Sequence, residues 1–160
     1  MTKSVRKQIA AVSILATVAI LASIAYSHCQ IPCGIYDDEA RFGDIAEHIT
    51  TIEKSMKEIE RLSAEAKPNM NQIVRWVNNK ELHADELSEI VTYYFMAQRV
   101  KLPADGDTKT QNQYVKKLTL LHRMLVYSMK AKQTTDLANV EQLKSALNEF
   151  NKAYMGEKKG

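Results

Sequence analysis

At 160 residues, with 26% charged and 45% hydrophobic content, the chain has material for one compact domain and too little for two. Its formal net charge of +3 sits at the start, because removing Lys3, Arg6 and Lys7 from the 22 basic residues leaves as many as the 19 acidic ones. A balanced remainder gives no electrostatic reason for a nucleic-acid or anionic-membrane partner.

Residues 1–27 have the layout of a targeting segment. A basic start is followed by an uncharged run from Ile9 to Tyr26, with the small residues Ala25 and Ser27 flanking a cut before His28. Removal of 1–27 on maturation predicts export to the periplasm or the exterior. The alternatives are an uncleaved membrane anchor, since the run is just long enough to span a bilayer, or a cytoplasmic protein. Cleavage there would make His28 the first residue of the mature chain.

The next nine residues, HCQIPCGIY from His28 to Tyr36, hold both cysteines of the chain. From residue 37 to 160 the pattern is helical. Ile45, Ile49, Ile52, Met56, Ile59 and Leu62 recur at steps of three and four and predict one face of a helix over 37–66, stopped by Lys67-Pro68-Asn69. A second helix is expected from about Asn71 to Lys101, with Ile73, Val77, Leu87, Ile90, Val91 and Tyr94 inward, until Leu102-Pro103 and Asp105-Gly106 break it. The third carries Val115, Leu118, Leu121, Leu125 and Met129. The fourth, capped by Thr134-Thr135-Asp136, carries Val140, Leu143, Leu147, Phe150 and Tyr154. Strand signals are absent. Four amphipathic helices with short connections predict an all-α, antiparallel up-down-up-down four-helix bundle.

Familiar bundle chemistry fails on spacing. A di-iron site uses Glu-x-x-His, but Ile45, Lys80 and Thr119 stand three before His48, His83 and His122. Covalent haem uses Cys-x-x-Cys-His, whereas Cys29 and Cys33 have three residues between them and are followed by Gly34. The three internal histidines therefore read as isolated, solvated or hydrogen-bonded residues, and Trp76, Tyr93 and Tyr94 as core or interface aromatics.

The chemistry concentrates in HCQIPCGIY. With the leader removed, the α-amine and imidazole of His28, the Cys29 amide nitrogen and the thiols of Cys29 and Cys33 lie within six residues. Nitrogen and sulfur donors that can lie in one plane suit Ni(II) or Cu(II) better than tetrahedral zinc. Pro32 and Gly34 suit a sharp turn that returns Cys33 towards Cys29. The competing reading is a Cys29–Cys33 disulfide in an exported helical interaction protein, and a third is a metal carrier without turnover.

His28, Cys29, Pro32, Cys33, Gly34 and Tyr36 reproduce the pattern His-Cys-x-x-Pro-Cys-Gly-x-Tyr, and on these residues the chain resembles the nickel superoxide dismutase family. The stretches VRWVNNKE and MKAKQTTD are also similar to its marine bacterial members. The resemblance implies a four-helix bundle with an N-terminal nickel hook at 28–36, one nickel ion per subunit, superoxide as substrate, a homohexamer and a maturation protease. It assigns the amine and imidazole of His28, the amide nitrogen and thiolate of Cys29 and the thiolate of Cys33 to the metal. Pro32 and Gly34 shape the hook, with the peptide before Pro32 cis, and Tyr36 stands at the approach to the open metal face. Two departures are visible: Gln30 is neutral where some members are acidic, and the leader resembles an export signal whereas many members mature in the cytoplasm.

Overall fold

The computed structural model describes residues 4, 5, 12–14, 17, 38–103 and 107–158. The chain divides into two compact units, Met1–Ile31 and Pro32–Gly160. In the first, the described positions are helical, and Thr17 Oγ1 donates to the Ser13 carbonyl at 2.9 Å. The expected leader boundary, the hook at 28–36 and its junction with the helical region lie outside the described residues.

In the second unit the described residues form helices and no strand: α1 (Asp38–Ser63), α2 (Met70–Glu89), α3 (Thr108–Gln133) and α4 (Ala138–Lys158). No described helix is long and apolar enough to cross a membrane. Each helix packs on its neighbours in sequence, and α1 also packs on α4. Cross-links fix the directions. Asp38 meets Tyr94, and Asn79 donates to Ser55 Oγ at 3.0 Å, so α1 and α2 run oppositely. Lys80 meets the end of α3 while Ser88 lies farther back, 3.1 Å from Ser128 Oγ, which sets α3 antiparallel to α2. Asp38 meets Tyr154 and Glu53 meets Lys144 at 2.8 Å, which does the same for α1 and α4.

The ends follow local chemistry. Asn69 accepts from the Gln72 N–H to cap α2, Asp107 accepts from Lys109 N–H to cap α3, and Asp136 accepts from Ala138 N–H at the start of α4.

The α1 face is as the spacing predicts, with Ile45, Ile49, Ile52, Met56 and Leu62 buried and Ile59 half-buried. On α4, Val140, Leu143, Leu147, Phe150 and Tyr154 are all buried. The α3 stripe differs. Val115 and Met129 are exposed, and the buried line runs through Leu120, Leu121, Met124, Ser128 and Ala131. The cause is close approach to α2: Ser128 Oγ donates to the Ala84 carbonyl at 2.8 Å, a contact that a larger apolar side chain would block.

The expected single α-helix over 71–101 also requires correction. From Ile90 to Arg99 the backbone winds as a π-helix, ending with Val100 N–H on the Phe95 carbonyl at 2.9 Å, five residues back. The segment IVTYYFMAQR opens on β-branched and aromatic residues, weak formers of α-helix. Thr92 Oγ1 bonds back to the Ser88 carbonyl at 2.5 Å, a contact that competes with the backbone ladder. Wider winding lets the consecutive residues Tyr94 and Phe95 both face inward, fully buried. Phe95 then stands edge-on to Phe150 and Tyr154, with ring centroids at 5.0 and 5.6 Å, and 5.0 Å from Phe42.

Candidate functional site

His28, Cys29, Pro32, Cys33, Gly34 and Tyr36 fall outside the described residues, so the structure is informative from two residues beyond Tyr36 onward. There, in the first turn of α1, Asp38 is 3% exposed. The Tyr94 hydroxyl donates to one carboxylate oxygen at 2.5 Å and the Tyr154 hydroxyl to the other at 2.9 Å. Arg99 brings Nε to 3.0 Å of Asp38 and donates from Nη2 to the Tyr94 hydroxyl at 3.1 Å. The guanidinium carbons of Arg41 and Arg99 lie 5.4 and 5.1 Å from the centroid of the Tyr94 ring. The carboxylate also sits at the positive end of the α1 dipole.

Burial first, and then the hydrogen bond to Asp38, push both tyrosine hydroxyls above their ordinary range, so they remain donors at neutral pH. The start of α1 is thereby tied to the end of the π segment and to α4. In sequence, four residues separate Cys33 from Asp38. Sequence reading missed Asp38, Arg99 and Tyr154 as a set; the available signal was the acidic run Asp37-Asp38-Glu39 at the helix start, next to the cysteine-bearing segment.

Of the other residues considered from sequence, Trp76 is half-buried with Lys54 5.8 Å from its ring, Tyr93 is exposed, and His122 is exposed. His48 and His83 correct the expectation of isolated histidines. Packing of α1 on α2 brings their Nδ1 atoms to 2.8 Å, with Glu86 Oε2 3.5 Å from the first and 3.4 Å from the second. The Glu-x-x-His pattern places an acid three residues before the histidine, whereas here Glu86 stands three residues after His83.

The stretches VRWVNNKE and MKAKQTTD meet in space. Lys80, 4% exposed, donates from Nζ to the carbonyls of Ala131, Lys132 and Thr134 at 2.8, 2.5 and 3.1 Å. Its ammonium thus sits on the carbonyl end of α3, where the dipole favours a cation. Desolvation is the main influence on it and lowers its pKa.

A helical bundle preceded in sequence by a segment rich in sulfur and nitrogen donors has the outline of a helical metalloprotein. The model of the nickel-containing superoxide dismutase family matches residues 23–158, and the chain belongs to that family. Its activity class is that of a superoxide dismutase, an oxidoreductase, and its cofactor is nickel. Neither a curated protein nor a solved structure gave a significant match.

Proposed function

We propose that the mature enzyme begins at His28 and disproportionates superoxide to dioxygen and hydrogen peroxide at a nickel ion held by His28, Cys29 and Cys33, one ion per subunit. The observation that carries this reading is HCQIPCGIY itself, complete in its pattern and inside the family match over residues 23–158. The donor set fits the ion, since two thiolates with amine, amide and imidazole nitrogens are soft and borderline ligands. When bound, nickel supplies the Ni(III)/Ni(II) couple that removes an electron from one superoxide and returns it to the next.

The chain's residues do the rest. Cys29 and Cys33 bind as thiolates, which ties metal uptake to loss of their protons. The Cys29 amide adds negative charge that brings the couple into range, and His28 contributes through its amine and imidazole. Pro32 and Gly34 shape the turn between the thiols. Tyr36 organises water at the approach and limits entry to small anions, while protons for peroxide arrive from water or neighbouring groups. The complete protein is an antiparallel up-down-up-down bundle with this hook in front, assembled as a hexamer. A maturation protease removes 1–27, and the enzyme acts after export.

Mass spectrometry of natively produced protein, with nickel analysis and a superoxide-decay assay, tests the reading. The expected result is a chain starting at His28, about one nickel per chain, and dismutation that the 160-residue precursor lacks. His28→Ala is expected to lose most activity, and full activity in that variant would remove the ligand assignment. A metal-free mature chain with Cys29 joined to Cys33 would support the helical interaction protein instead. Bound metal with unchanged superoxide decay would support a carrier.

A further inference from the structure

We infer that His48, His83 and Glu86 form a second metal site, separate in sequence from the nickel hook and suited to a borderline divalent ion such as zinc. His48 comes from α1, and His83 with Glu86, one helical turn apart, comes from α2. Their donor atoms form a triangle with sides of 2.8, 3.4 and 3.5 Å. An ion at roughly 2.0–2.1 Å from each corner, the usual zinc distance to imidazole nitrogen and carboxylate oxygen, fits just off the plane of such a triangle. Two imidazoles and one carboxylate are also a recurrent zinc ligand set that leaves a place for water.

The arrangement has the chemistry of a site with its ion replaced by a proton. Two imidazole nitrogens at 2.8 Å need a proton between them, and a cation binding both displaces it. The histidine side chains are 16% and 23% exposed and Glu86 is 42% exposed, so the nitrogens lie inside and the carboxylate edge opens to solvent. That edge gives the ion an entry path and room for an outside ligand. Asp44 and Glu47 add negative potential near His48. Burial pushes the His48 imidazole towards its neutral, ligating form. Occupied, the site would staple α1 to α2, a stabilisation by binding to the folded state alone.

The test uses the full chain carrying Cys29→Ser and Cys33→Ser, which removes the hook thiols and makes the outcome independent of the nickel assignment. Calorimetric titration with zinc is expected to give about one ion per chain at this site, and zinc should raise the thermal midpoint. His83→Ala and Glu86→Gln should each weaken zinc binding at least about tenfold. Because an altered interhelical imidazole can loosen the helix pair, cobalt(II) supplies a readout with the site intact. Visible d–d bands without a sulfur-to-cobalt charge-transfer band are expected, and they should disappear when zinc is added. Failure of the thiol-free chain to take up either ion, or zinc affinity unchanged in both site variants, would overturn the proposal.

Discussion

Asp38 and Lys80 lie at opposite ends of the helical region and solve the same problem with opposite sign. Asp38 is a buried anion at the first turn of α1, ringed by two hydroxyl donors and a guanidinium. Lys80 is a buried cation at the last turn of α3, satisfied by three carbonyls. Each charge is placed where the helix dipole favours it, and each ties together elements that are remote in sequence. The difference lies in the partners. Those of Asp38 are side chains from the π segment and α4, two of them tyrosine hydroxyls, whereas the hydrogen bonds of Lys80 go to backbone carbonyls, with the Glu81 carboxylate farther off at 3.8 Å. The Asp38 end should therefore respond both to substitution and to alkaline pH.

The largest expected effect is at Asp38. Asp38→Ala leaves a guanidinium and two buried hydroxyls without their common acceptor, and a loss of about 3–5 kcal/mol is expected in denaturant unfolding. A cost under about 1 kcal/mol would mean that water or another group replaces the carboxylate, and the comparison between the two ends would fail. Lys80→Ala strips the carbonyls at the end of α3 of a charged donor, with an expected loss of about 1.5–3 kcal/mol. Lys80→Met, which keeps the apolar stem, should recover part of that loss.

The smallest effect sharpens the contrast by pH. The folded pKa of Tyr154 is raised above its ordinary value of 10.0, chiefly by burial. Below pH 10 the hydroxyl is protonated in both the folded and unfolded chains, so its contribution is fully present. Above pH 10 only the unfolded chain releases the proton, and stability falls as pH rises, by at most about 1.4 kcal/mol per pH unit from this group. Tyr154→Phe should flatten that fall relative to the parent chain, measured as unfolding free energy against pH. An identical alkaline slope in both proteins would remove Tyr154 from the account.

The same comparison explains what was legible in the sequence. On α1 and α4 the inward face is built mainly from Ile, Leu, Met, Val and Phe, with Ser55 and Asp38 among them on α1, so hydropathy at helical spacing located it. On α2 and α3 the buried face includes Lys80, Ala84, Ser128 and Ala131, which carry little or no hydropathy signal. Their burial depends on close helix contact and on carbonyls brought from another element. The donor-rich segment from His28 to Tyr36 was legible because its chemistry is local and consecutive. The Asp38 network and the His48–His83–Glu86 triangle join residues 35 to 116 positions apart, and only helix packing shows them as groups.

The π winding between Ile90 and Arg99 has a consequence for permissible chain length. A deletion of one residue inside this stretch could be absorbed by rewinding as α-helix, at no cost in helical content. Without that rewinding, the loss of one residue would turn Arg99 by about a quarter of a revolution about the axis and aim its guanidinium away from Asp38. The wide coil therefore acts as a spacer whose winding, matched to its residue count, keeps the last turn in phase with the first turn of α1.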